Sequence, residues 1–287
     1  MVQKVPKSKK LLIVGGSGFV GSSLREYIKD KRTNISNIIS YSRTEGKNFL
    51  HLKKLPKFDY LIYCINNKNK NQSIKLFLHF EKLLNKHPNK VKILFFSSGA
   101  VYGPRNKIKK IKESDKLSDK FIEKFTGYKK NYAKEKKKIE KKFKKLALKG
   151  YKISIVRGFT FYGKHILKYN YLISQLINAI NNKEKILVNN VNIFRSYMHA
   201  DDMCKWLLKI LENSSIRAPI YNLGSGERIK IIDLINFLNN KYGEYIVPNK
   251  NKIGPKDYYI PSVKLAEKQL KLKNTINFFR AIKFLIK

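Results

Sequence analysis

Four apolar residues, Leu11 to Val14, run directly into Gly15-Gly16-Ser17-Gly18-Phe19-Val20-Gly21, and a helical pattern begins at once. A short apolar run closed by glycine predicts a strand buried on both faces, as in the centre of a parallel sheet. Gly15 and Gly16 permit a tight turn, Gly18 lets the backbone approach a pyrophosphate, and Gly21 lets the helix pack close on the strand. The helix N-terminus adds N–H donors and a positive dipole end. The expected dinucleotide contacts are therefore Gly15, Gly18, Phe19, Val20 and Gly21. The spacing reads both as G-x-G-x-x-G and as G-x-x-G-x-x-G, so it does not by itself choose a family.

Downstream, apolar β-rich runs alternate with amphipathic stretches. Residues 35–41, 60–65, 91–97 and 153–156 read as further strands, and 19–30, 73–86 and 128–149 as helices. That alternation predicts an α/β fold, a Rossmann-type doubly wound parallel sheet with helices on both faces. After Gly163 the pattern weakens, with helices expected at 171–181, 201–212 and 231–240. We expect a dinucleotide-binding domain over 1–163 and a smaller C-terminal substrate-binding lobe over 164–287, with some of its strands and helices returning to the first. No Pro/Gly/Ser linker and no internal repeat separates them.

The chain carries 62 Lys+Arg against 20 Asp+Glu, a net charge of +42 over 287 residues. Such a field attracts polyanions. The lysines, however, are scattered through every segment, alongside many Asn, Ile, Phe and Tyr, as AT-rich codons would produce, so no specific nucleic-acid partner is expected. In the densest run, Lys134 to Lys145, Ile139 and Phe143 fall at apolar helical spacing with Leu146 and Ala147 beyond, which predicts an amphipathic helix with a solvated basic face. Two cysteines, Cys64 and Cys204, make no C-x-x-C or zinc pattern, so a reducing compartment and no metal are expected. With no signal-peptide pattern and no apolar run of membrane-spanning length, the expected location is the cytoplasm.

The second strand ends in Ser40-Tyr41-Ser42-Arg43, where an NAD-selective site would carry an acid for the ribose 2′-hydroxyl. Ser42 and Arg43 can instead hold a 2′-phosphate, which favours NADP while leaving NAD open. Tyr132 and Lys136 of Tyr132-Ala133-Lys134-Glu135-Lys136 stand one helical turn apart on one face. With 17 tyrosines among so many lysines, chance supplies several such pairs, so the surroundings must decide. Upstream lies Ser97-Ser98-Gly99-Ala100-Val101-Tyr102-Gly103. Downstream lies Arg157-Gly158-Phe159-Thr160-Phe161-Tyr162-Gly163.

In this order the motifs resemble the extended short-chain dehydrogenase/reductase family, specifically its nucleotide-sugar epimerases, dehydratases and ketoreductases. The resemblance covers nearly the whole chain, from GGSGFVG through SSGAVYG, YAKEK, RGFTFYG, RSYMHADDM and YNLGSGE to PKDYYIPSVKLAEKQL. It implies that Tyr132 is the general acid/base. A free phenol titrates near 10 and needs help at neutral pH. Lys136 would stabilise the phenolate and hydrogen-bond the nicotinamide ribose, and Ser98 would share the substrate oxygen. The resemblance also puts Arg195 on the nucleotide diphosphate and Thr160 against the substrate, gives Asp202, Asn222 and His199 structural roles, and implies a homodimer through a bundle that includes the Tyr132 helix.

Several positions depart from the family pattern. Gly99-Ala100 stands where the dehydratases carry an Asp-Glu pair, so 4,6-dehydration is not expected. Thr160 replaces a frequent Asn, no adenine-contacting acid is evident between Glu45 and Leu52, and Lys252 or Lys256 replaces a closing arginine. Two readings follow. A 4-ketoreductase reduces hexose C4 once with exchangeable NADPH, and a 4-epimerase oxidises and re-reduces C4 with tightly held NAD. The Arg43 position and the compact second lobe favour the reductase. A non-catalytic dinucleotide- or polyanion-binding protein is the more remote alternative.

Overall fold

The computed structural model describes residues 8–31, 33–42, 48–66, 72–87, 91–249 and 256–287. In chain order its main elements are β1 (Lys9–Val14), α1 (Phe19–Asp30), β2 (Ile35–Tyr41), β3 (Tyr60–Tyr63), α2 (Gln72–Leu84), β4 (Lys92–Ser98), α3 (Asp119–Ile122), α4 (Gly127–Leu148) and β5 (Lys152–Gly158). They continue with α5 (Leu172–Asn182), α6 (Ala200–Glu212), α7 (Ile231–Tyr242) and α8 (Lys264–Leu270). Two compact units share the chain. The first comprises Met1–Ser98, Gly127–Arg157 and Cys204–Tyr221, and the second Gly99–Thr126, Gly158–Met203 and Asn222–Lys287.

The central parallel sheet has six strands in the order Ile220–Leu223, β5, β4, β3, β1, β2, the Rossmann-type arrangement expected from the alternation of strands and helices. β1 pairs with β2 on one side and with β3 on the other, both in parallel. The chain thus reverses its direction of winding across β1, and the glycine turn lies at the carboxyl end of that strand. Ligands of open α/β sheets bind at such a switch point. Leu11, Leu12, Ile13 and Val14 are fully buried, as a central strand requires.

One side of the sheet is packed by aromatic side chains. Phe143 of α4 stacks on Phe95 of β4 at 4.6 Å and meets Phe77 of α2 edge-on at 5.1 Å. Tyr63 of β3 lies among the same rings. Ile139, Phe143, Leu146 and Ala147 are all buried, so the lysine-rich helix does carry the apolar stripe that its spacing predicts. Ile139, Phe143 and Leu146 each contribute about 2 kcal/mol by leaving water, and their fit sets the depth at which α4 sits on β4.

In the second unit, Ile193–Arg195 is the middle strand of three, antiparallel to Ile229–Lys230 and parallel to Asp257–Tyr259. Thr160–Tyr162 pairs in parallel with Tyr197–His199. Asp202 accepts from the Thr275 N–H (2.9 Å), the Thr275 hydroxyl (2.7 Å) and the Ile276 N–H (3.0 Å). Asn222 accepts from the Tyr102 hydroxyl at 2.8 Å and donates to Ile111 O at 2.9 Å. Both side chains tie distant loops together. His199 Nδ1 accepts from the Asp201 N–H, and burial keeps its ring below the usual imidazole pKa, so it acts as a neutral acceptor at the start of α6. Among the described residues no helix is long and apolar enough to cross a membrane.

Candidate active site

At the carboxyl end of β1 the turn is drawn against β2 by the N–H groups of Gly15 and Gly16, which both donate to Tyr41 O (3.0 and 3.2 Å). Gly15 has φ +105°, and a Cβ there would stand 2.9 Å from the backbone of Cys64 and Ile65. A Cβ on Gly21 would lie 2.5 Å from Gly16 Cα, so α1 crosses the turn at a distance only glycine allows. α1 starts at Phe19 with Gly18 as N-cap, no capping side chain and no acid in its first turn. Its leading N–H groups have no partner within the helix, which suits an anion. These features fit the pyrophosphate of a dinucleotide; Gly15 and Gly18 lie in this turn, and Phe19, Val20 and Gly21 form the start of α1.

Beside the turn, Ser42 is buried. Arg43, and with it Glu45 and Lys252, lies outside the described residues. Ser40 is a residue that sequence reasoning missed. Its hydroxyl oxygen is inaccessible and without a hydrogen-bond partner, and it points to where a Cβ on Gly16 would be, 1.7 Å away. The described end of β2 thus offers hydroxyls and no carboxylate. On the other side of the turn, Cys64 Sγ lies 3.6 Å from Gly15 O, and burial pushes its thiol up to about 12, which makes it inert at neutral pH.

Ser98 is the last residue of β4 and is buried; Tyr132 and Lys136 are on α4. Tyr132 stacks on Tyr128 at 5.7 Å. Lys136 is only 5% exposed. Its Nζ donates to Ile65 O and to Phe96 O, each at 3.0 Å, at the carboxyl ends of β3 and β4, and lies 5.7 Å from the centre of the Tyr132 ring. Burial is the largest influence on this ammonium and lowers it to about 8, with Cys64, Glu140 and Glu135 working the other way. An ammonium has three donors, and two are spent on backbone. The third suits a ribose hydroxyl, so these residues too fit a nicotinamide dinucleotide.

One turn beyond Lys136, Glu140 Oε1 accepts from Ser97 Oγ at 2.6 Å and from Arg157 Nε at 3.0 Å, while Oε2 accepts from Arg157 Nη2 at 2.8 Å. None of these three was singled out from the sequence for this role.

The second unit holds Thr160 and Arg195. Thr160 opens its strand and is half-buried. Arg195 Nη2 pairs with Asp257 Oδ2 at 2.8 Å, and its Nη1 donates to Phe194 O at 2.8 Å. The guanidinium also lies 5.8 Å from the centre of the Tyr259 ring. Asp257, which orients it, had no signal in the sequence beyond its place in the closing motif. A Cβ on Gly99 would stand 2.7 Å from Tyr259 Oη and 2.8 Å from the Phe159 ring. The space that a carboxylate at position 99 would need is filled by these two rings, which pack at a tilt with centroids 4.6 Å apart. Lys256 is exposed. Among the described residues no group of three His, Cys, Asp or Glu could hold a metal ion.

A dinucleotide turn at a sheet switch point, together with a tyrosine and a buried lysine one turn apart, defines a class of nicotinamide-dependent Rossmann enzymes. Comparison with known proteins is specific about the family. The model of the NAD dependent epimerase/dehydratase family matches residues 11–224, and the chain belongs to that family. It is therefore a nicotinamide-dependent enzyme of the epimerase/dehydratase group. No curated protein sequence matches it.

Among solved structures it is similar to RMD from Pseudomonas aeruginosa complexed with NADPH, at 18% identity and TM-score 0.76, over 97% of this chain and 96% of that one. It is also similar to dTDP-glucose 4,6-dehydratase from Bacillus anthracis in complex with NAD, at 15% identity and TM-score 0.77, over 97% and 95%. A third is UDP-N-acetylglucosamine 4-epimerase from Methanobrevibacter ruminantium in complex with UDP-N-acetylmuramic acid, at 18% identity and TM-score 0.73, over 96% of each chain.

Proposed function

We propose that this protein reduces the C4 ketone of a nucleotide-activated hexose with NADPH. The observation that carries the reading is Lys136, a buried ammonium fixed by two backbone carbonyls beside Tyr132 on α4. When bound, the nicotinamide supplies the hydride. Tyr132 gives its phenolic proton to the C4 oxygen, so that ketone, hydride and proton balance as an alcohol. Lys136 holds the phenolate that remains and orients the ribose, and Ser98 donates to the same oxygen as charge develops on it. Arg195, oriented by Asp257, meets the diphosphate, where its planar fork matches paired oxygens. NADPH over NADH is supported by Ser42, with no carboxylate at the described end of β2, and by the NADPH in the similar RMD structure.

The packing around Gly99 argues against 4,6-dehydration, because the first acid of the pair used for that chemistry has no room. The 4-epimerase is the second reading, favoured by the likeness to the UDP-N-acetylglucosamine 4-epimerase. The two differ in stoichiometry. Incubation with NADPH and dTDP-4-keto-6-deoxyglucose, UDP-glucose or UDP-N-acetylglucosamine separates them. One NADPH oxidised per sugar converted supports the reductase, whereas conversion with no net change in nicotinamide absorbance identifies the epimerase.

A further inference from the structure

We propose that Glu140 is a positioning residue: by gripping Ser97 and Arg157 it fixes the register of α4 on β4, and so sets Tyr132 and Lys136 against Ser98. This rests on the site as read above. The apolar contacts of α4, Ile139, Phe143 and Leu146, are non-directional and would tolerate a slide along the sheet. The Glu140 contacts are directional. The Arg157 fork meets both carboxylate oxygens, and Ser97, the residue before Ser98, meets one of them. Glu140 and Arg157 are 3% and 2% exposed. A buried ion pair is a poor source of net stability compared with apolar residues of the same volume, so its value here is geometric. A fork with two parallel bonds tolerates little displacement.

Glu140 also acts by charge. It lies four residues beyond Lys136 on the same helical face and favours the ammonium that burial opposes. The other groups around that ammonium are Cys64 beyond β3, Glu135 and Tyr132 on α4, and Arg157 of β5 behind Glu140. Glu135 accepts from the Ser73 hydroxyl of α2 at 3.1 Å, so it ties the helix to its neighbour.

The test compares the wild type with Glu140→Gln, Ser97→Ala and the paired replacement Glu140→Met with Arg157→Met. The affinity for NADPH, or for NADH if NADPH does not bind, is followed by nicotinamide fluorescence from about pH 6.5 to 10, alongside turnover. In the wild type the affinity should fall with a midpoint near 8, where Lys136 loses its proton. In Glu140→Gln the midpoint should move down by about one pH unit. In Ser97→Ala, with the charge intact, it should stay. All three variants should lose about 10- to 100-fold in kcat at pH 7, since small misplacements of reacting groups have large effects.

A folded Glu140→Gln with an unmoved midpoint and kcat within about twofold of wild type would overturn the proposal. If that variant does not fold, Ser97→Ala and the paired replacement decide on kcat alone, and wild-type turnover in both would equally overturn it. Tyr132→Phe is the control. Full turnover there, or failure of the wild type to bind either dinucleotide, removes the reading of the site itself; loss of turnover there with normal Glu140 and Ser97 variants removes only the positioning role.

Discussion

Lys136 should make the stability of this protein depend on pH in a direction opposite to that of an ordinary paired lysine. Its ammonium is 5% exposed and lowered from 10.5 to about 8 by burial. In the unfolded chain it titrates near the ordinary lysine value, so between pH 8 and 10.5 the unfolded state binds more protons and stability from this group rises with pH. Below 8 both states are protonated and the full cost applies, about 3 kcal/mol at 1.36 kcal/mol per unit. At pH 10 roughly 1 kcal/mol of it remains. The other lysines titrate too, and the net charge shrinks as pH rises, so the wild type alone is not informative. Lys136→Met keeps the length and removes the charge, and the difference between the two proteins isolates the group. Thermal or urea melts at pH 7 and pH 10 should show the wild type gaining about 2 kcal/mol on the variant, or about 4 °C in Tm at roughly 2 °C per kcal/mol. The two bonds to Ile65 O and Phe96 O are lost in the variant at both pH values and cancel in this difference. Parallel melting curves across that range would refute the assignment of a buried ammonium at Lys136.

Three further substitutions test the surrounding structure. Gly21→Ala forces a Cβ to 2.5 Å from Gly16 Cα and must displace the turn. We expect dinucleotide affinity to fall by about tenfold or more, ~1.4 kcal/mol, in a fluorescence titration. Gly99→Asp drives a carboxylate into Phe159 and Tyr259, which should cost about 1–3 kcal/mol or more of stability by overpacking and bring no dehydratase activity; a wild-type melting curve contradicts this. Asp202→Ala leaves three donors of residues 275–276 without their acceptor and should lower the urea midpoint by the equivalent of about 3 kcal/mol, with unchanged cofactor affinity in the folded fraction.

What could be read in advance follows from how local each signal is. The glycine turn, the Tyr132–Lys136 pair and the strand-end motif around Ser98 are contiguous, and each reports a geometry built within a few residues. The alternation of apolar runs gave β1 to β5 and the long helices because a buried strand and an amphipathic helix differ in period. The strand Ile220–Leu223 and the helix α8 are short and were not anticipated; neither is long enough to develop a period. Ser40, Asp257 and the Ser97–Glu140–Arg157 cluster escaped for another reason. Ser97 and Glu140 are 43 residues apart, and Arg195 and Asp257 are 62 apart. Only folding brings such pairs together, and in a chain with 62 basic residues no single Lys or Arg announces its partner. Glu140 in particular reads as one acid on a basic helix until its burial is known.

The proton donor lies at the heart of the account, and Tyr132→Phe tests it most directly. Removing one hydroxyl should leave NADPH affinity within about twofold of wild type and cut turnover on the nucleotide-sugar by roughly 10²–10⁴, the range that proton transfer contributes. Turnover that survives in the variant would contradict the central claim, since the hydride would then reach C4 without the phenol.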